Sequence, residues 1–190
     1  MSTSVLKAFS PFRVRVVRAA VLTAAAILPI TATADRTPEV PERLQVPEGH
    51  QPAFHVYATG VQIYTVQNTG TPEAPVYAWV FKAPLAELYA DGGGNGKVGI
   101  HYAGPTWESK SGSKVVGARV DGVTVDPTAI PWLLLRAAST SGPGIFGSVT
   151  YIQRINTAGG LAPTTGADAA HVGEEARVPY TAEYWFYRAR

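Results

Sequence analysis

From Pro52 to Arg190 the apolar positions fall in short aromatic and β-branched runs, separated by Gly, Pro, Asn and Asp at intervals typical of all-β domains. Phe54 to Ala58 and Val61 to Val66 read as two strands around Thr59-Gly60. The second alternates cleanly, with Val61, Ile63 and Thr65 on one face and Gln62, Tyr64 and Val66 on the other. Val76 to Phe81 is apolar throughout, the pattern of a strand covered on both faces. Pro84 to Tyr89 has the texture of about one helical turn before the Asp91 to Gly96 loop. Lys97 to Tyr102 and Lys114 to Val120 read as two arms of a hairpin whose tip is Ser109 to Ser113. Ile130 to Ala137 is the most apolar run; its Leu and Ala content suits strand or short helix, and the reading leans to helix. Val149 to Ile155 and Tyr180 to Tyr187 are strong strands flanking a long polar loop, Asn156 to Arg177.

Seven or eight strands with little helix predict a mainly β fold, a single-domain β-sandwich or closed β-barrel spanning residues 52–190. Residues 35–51 are charged and punctuated by Pro38, Pro41 and Pro47, with apolar residues too sparse for a buried element, and read as an extended N-terminal arm.

The first thirty-four residues differ in kind. They contain no Asp or Glu, carry Lys7, Arg13, Arg15 and Arg18, run apolar from Ala19 to Ile30 and end in Ala32-Thr33-Ala34. A basic start, an apolar stretch below spanning length and an A-x-A end predict a secretory signal peptide cut after Ala34. Export to the periplasm or beyond follows as an expectation, with no stable membrane anchor after cleavage. Loss of four basic residues leaves twelve against fourteen acidic ones, so the net charge of +2 becomes −2. The apparent basicity belongs to the leader, and the case for nucleic acid or an anionic lipid surface goes with it. The chain has no cysteine, so an oxidising compartment offers it no cross-links and no thiol for a lipid anchor.

Six ordered blocks carry a resemblance: Val46 to His50, Gly60 to Tyr64, His101 to Ser109, Ile130 to Leu135, Tyr151 to Thr157 with Gly159-Gly160, and Val178 to Tyr184. Together they resemble the secreted family called domain of unknown function 3455 (DUF3455), over nearly all of the chain beyond the leader. The resemblance implies cysteines at two positions where this chain has Val66 and Ala167. A cross-link pairing them in relatives would join the second strand to the late loop. Its loss, on the order of 4 kcal/mol, would need compensation in the packing here.

Candidate chemistry concentrates in His101-Tyr102-Ala103-Gly104-Pro105-Thr106-Trp107-Glu108-Ser109, where a histidine, two aromatics, a carboxylate and a Gly-Pro bend share nine residues. Aromatic walls with a few convergent polar groups are the material of small-molecule pockets. His101, Tyr102, Trp107 and Glu108 are therefore the candidate ligand-binding residues. The competing account is a packed corner in which the polar groups bond to loop backbone. Arg154 is the fifth candidate, as a clamp on a ligand carboxylate or, structurally, as the partner of Glu183 on a neighbouring strand. Alternation sends Gln153 and Arg154 to opposite faces.

The four histidines lack the spacing of a metal site, Gly92 to Gly96 lacks the Lys-Ser/Thr ending of a phosphate loop, and Gly144 to Ser148 is no nucleophile elbow. No metal and no cofactor is implied. The leading reading is a non-catalytic exported β-domain that binds a small molecule, a glycan or a surface partner. The alternatives are a hydrolase using Glu108 and His101 as an acid-base pair, and a structural envelope protein.

Overall fold

The computed structural model describes Met1 and residues 37–190, so the predicted leader and its cleavage site lie, Met1 apart, outside the described residues. Eight antiparallel strands, each bonded to the next in sequence, close into a barrel: β1 (His50–Asn68), β2 (Tyr77–Tyr89), β3 (Lys97–Tyr102), β4 (Thr106–Ser109), β5 (Lys114–Val123), β6 (Trp132–Ser141), β7 (Tyr151–Gly159) and β8 (Glu175–Ala189). The long β1 pairs with β2 along one edge and with β8 along the other, which completes the ring and leaves no open sheet edge. Of the two architectures compatible with the sequence, the chain adopts the barrel.

Two predicted boundaries vanish inside β1 and β2. The break expected at Thr59-Gly60 is continuous strand, because Gly60 marks a close crossing rather than a turn: a Cβ there would lie 2.2 Å from the Leu85 carbonyl oxygen and 2.4 Å from the Ala86 Cα. The helical turn expected at Pro84 to Tyr89 is the second half of β2, with Ala86 and Leu88 buried in the core.

The helix favoured for Ile130 to Ala137 is also replaced, by β6. Leu133, Leu135 and Ala137 face the barrel core, while Leu134 on the opposite face is only 4% exposed. Burial on both faces removes the alternation that marks a strand, so the run looks equally helical. The hairpin predicted between Lys97 and Val120 holds an extra strand, β4, with tight turns at residues 103–105 and 110–113.

The interior is aromatic. At one end Phe54 stacks on Phe186 at 4.7 Å and Phe146 closes the gap edge-on at 5.0 Å. This plug seals the barrel on the side of the β2–β3 and β6–β7 connections. Ala58, Ala86, Leu88, Val115, Ile152 and Ala182 continue the core above it.

The outside of β7 and β8 is covered by the N-terminal arm, which is less extended than its sequence suggests. A short 3-10 turn at Glu42–Leu44 buries Leu44 completely, and Ile155, Trp185 and Tyr187 pack with Val40 and Val46. Buried Gln153 fastens it: its Nε2 donates to the Leu44 carbonyl at 2.7 Å while its Oε1 accepts from the Tyr187 hydroxyl at 2.6 Å. Arg43 adds a two-pronged contact with Asp121. Replacing Gln153 by alanine leaves the Leu44 carbonyl and the Tyr187 hydroxyl without partners in a buried place. The expected cost is about 1–3 kcal/mol. Limited proteolysis checks the location of the damage, with new cleavage expected in residues 37–48 before the barrel strands are cut.

The resemblance implied a missing cross-link between Val66 and Ala167, and other ties hold the β7–β8 loop here. The Val66 backbone bonds to Gly173 and Glu174, Trp79 Nε1 donates to the Thr165 carbonyl at 2.7 Å, and the Tyr64 hydroxyl donates to the Gly160 carbonyl at 2.6 Å. Within the loop, Asp168 accepts from the backbone N–H of Ala170 and from His171 Nδ1.

Candidate functional site

Strand alternation sorts the nine-residue motif onto two sides of the wall. His101 and Trp107 are cross-strand partners on β3 and β4 and both face inward, stacked at 4.3 Å with an interplanar angle of 13°. Trp107 can reach so far in because Gly117 on β5 has no side chain; a Cβ there would sit 3.0 Å from the indole ring. Tyr184 on β8 meets both rings edge-on, at 5.0 and 5.2 Å.

Tyr102 and Glu108, each one residue further along its strand, face outward. Their side chains bond to each other, Tyr102 hydroxyl to Glu108 Oε2 at 2.8 Å, and Lys114 lies 3.2 Å from the same oxygen. The structure therefore separates the His101–Glu108 pair that an acid-base mechanism would need. The electrostatics differ accordingly. Tyr102 and Lys114 hold the Glu108 carboxyl below its usual range, whereas burial pushes His101 down to about 3, a shift that its hydrogen bond to the Thr106 carbonyl opposes only in part. His101 is thus a neutral imidazole. Its Nδ1 donates to the Thr106 carbonyl at 2.9 Å, which leaves Nε2 as the acceptor of the ring.

Arg154 is the candidate that the fold turns toward this interior. It sits opposite Tyr184 on the neighbouring strand, while Glu183 faces away and accepts hydrogen bonds from Asn156 and Trp185. The Arg154–Glu183 pair considered from sequence is not formed. The guanidinium is instead held by the Pro131 carbonyl, to which Nε donates at 3.1 Å and Nη2 at 2.7 Å. Its charge opposes the effect of burial on the phenols of Tyr64, Tyr180 and Tyr184; burial prevails and keeps all three raised and protonated.

These inward residues line a cavity of about 580 Å³ at the end of the barrel opposite the phenylalanine plug. Trp107, Leu133, Leu135, Ile130 and Phe81 supply its apolar wall. Gln62, Tyr64, His101, Arg154 and Tyr184 supply polar groups, with Lys82 and Arg119 at the exposed rim. Gly104 and Pro105 of the β3–β4 turn, Ile130 and Pro131 of the β5–β6 connection and Phe81, Lys82 and Pro84 of β2 border the cavity. Among the described residues no carboxylate lines it, and Lys82 is neutralised by Glu175.

Of the five residues singled out from sequence, His101, Trp107 and Arg154 come together in this cavity and Tyr102 and Glu108 do not. Sequence reasoning passed over Gln62, Tyr64 and Tyr184. The signal lay in the alternation of β1: its polar face, Gln62 and Tyr64, points into the barrel, the reverse of the usual apolar-inside rule. Two interior donors have no partner among the described residues, Gln62 Nε2 and Trp107 Nε1, on side chains 2% and 1% exposed.

Among the described residues no three His, Cys, Asp or Glu side chains gather as a metal-ligand set. His50 lies against Tyr151 and His55 stacks on Trp185, both on the outer surface, and His171 bonds within its loop. No curated protein and no solved structure matches this chain. A family model does, over residues 47–188, which takes in the barrel and every cavity residue, and the chain accordingly belongs to the family described as Protein of unknown function (DUF3455).

Proposed function

We propose that this protein is a non-catalytic binding protein that takes a small amphipathic molecule into the open end of its barrel. The observation that carries this reading is the cavity itself, about 580 Å³ of mostly apolar wall with a few convergent polar groups. That is the size and make-up of ordinary ligand sites, and eight-stranded barrels are just wide enough to hold one small ligand. Binding is favoured over hydrolysis because the cavity groups form no nucleophile and base: the phenols are protonated, the imidazole is a weak base, and Glu108 lies outside. The leader read in residues 1–34, a sequence argument alone, supports a place of action in the periplasm or beyond.

Thermal denaturation in the presence of a library of small amphipathic molecules tests the reading. A ligand present at about a hundred times its Kd should stabilise the chain by about 2.7 kcal/mol. Leu133→Trp, which fills the cavity from its wall, should abolish the effect. A stabilisation that survives Leu133→Trp would place the ligand elsewhere and end this account of the site.

A further inference from the structure

The polar complement of the cavity is biased in a way that identifies a ligand class. Donors are prominent among the groups there that lack a partner. Gln62 Nε2 and Trp107 Nε1 are unpartnered. Arg154 spends two N–H groups on the Pro131 carbonyl, out of the five a guanidinium carries. Acceptors are present too: the Nε2 of neutral His101, the Oε1 of Gln62 and the phenol oxygens of Tyr64 and Tyr184. A buried donor without a partner costs stability, and a bound oxygen acceptor that reaches such a donor would relieve it.

Charge points the same way and sets the amount. Lys82 is already paired with Glu175 and Arg119 stands at the exposed rim, so among the described residues one uncompensated interior cation remains, Arg154. Among the described residues no carboxylate lines the cavity to answer it. The Pro131 carbonyl holds the guanidinium plane still, and a fixed planar fork is the geometry that suits a carboxylate.

We infer that the ligand is an amphipathic monocarboxylate, with its carboxylate on Arg154 and Gln62 and its apolar body along Trp107, Leu133 and Leu135. This inference rests on the binding reading above and narrows it. Preorganisation favours the anion: Arg154 is held in place before the ligand arrives, so little side-chain freedom is lost on binding.

Calorimetric titration of the full chain with two matched probe pairs tests it: 2-naphthoate against 2-naphthalenemethanol, and octanoate against 1-octanol. In at least one pair the acid should bind about ten- to a hundredfold more tightly than its alcohol, as expected for hydrogen bonds to a charged group. The pair that shows the preference identifies an aromatic or an alkyl body. Arg154→Met should remove the preference for the acid over its alcohol. Arg154→Lys, which keeps the charge without the fork, should retain part of it, so that any misfolding of the methionine variant does not decide the matter. Gln62→Leu should weaken the acid more than the alcohol.

Alcohols that bind as tightly as their acids overturn the carboxylate assignment and leave the cavity reading intact. A preference for acids that is unchanged in both Arg154 variants also overturns it. If none of the four probes binds, the monocarboxylate assignment falls, while the binding reading is decided by the library screen and its Leu133→Trp control.

Discussion

Trp107→Ala is expected to lower the unfolding free energy by about 3–5 kcal/mol, the range for removing a large aromatic from a closed core. The indole is 1% exposed. It stacks on His101, meets Tyr184 and Phe186 edge-on, and fills the space left by Gly117. Trp107→Phe separates packing from polarity. It keeps an aromatic face for His101 and deletes the N–H that has no partner, so the penalty for an unsatisfied donor disappears along with some volume. The phenylalanine variant should therefore lose less than half as much stability as the alanine variant. Denaturant melts of the three proteins, compared at constant m-value, check this ordering. A larger loss in Trp107→Phe would mean that the indole N–H is held by something in the cavity.

Acid should destabilise the chain through His101 well before its carboxylates titrate. Burial lowers the imidazole from 6.5 to about 3 in the folded state, so folded chains leave His101 unprotonated down to about pH 3 while unfolded chains protonate it near 6.5. Between those values the unfolded state binds more protons, and stability falls as the pH falls. The contribution is full above about pH 6.5, and about 3 kcal/mol of it is gone by pH 4. His101→Gln can still donate to the Thr106 carbonyl but does not titrate. Denaturant melts at pH 7 and pH 4.5 should show a clearly shallower pH dependence in His101→Gln than in the parent chain. Equal slopes would place His101 in contact with water or with a ligand proton, contrary to its burial. Carboxylates held low by partners on the outer surface, Glu87 by Lys97 and Glu175 by Lys82, add to the acid loss in both proteins and cancel in the comparison.

The two predictions share a cause, namely that the wall of the barrel has an inside. His101 and Glu108 look like one chemical unit because seven positions and a Gly-Pro bend separate them. Placing β4 beside β3 pairs His101 with Trp107, and the two-residue period then sends Glu108 to the other face. Missing that short strand is what made an acid-base pair conceivable. The same period explains Arg154: its alternation with Gln153 was legible, but only closure of the ring decides which of the two faces looks inward.

What the amino-acid sequence determines alone is local in character. The period-two runs, the turn residues between them and the scarcity of helical texture specify a β domain, and six ordered blocks specify its family, because these signals are carried by near neighbours in the chain. Tertiary structure decides everything that depends on which face is covered. Strand β6 passes for a helix because the arm and the barrel core bury both its faces. Gly60 passes for a turn because the carbonyl oxygen it makes room for belongs to Leu85. Gln62 and Tyr64 give no local sign of lining a cavity, because only a closed barrel with an unfilled end keeps such polar groups inside it. Strand closure turns each of these local ambiguities into a definite inside and outside, and the inside holds the cavity.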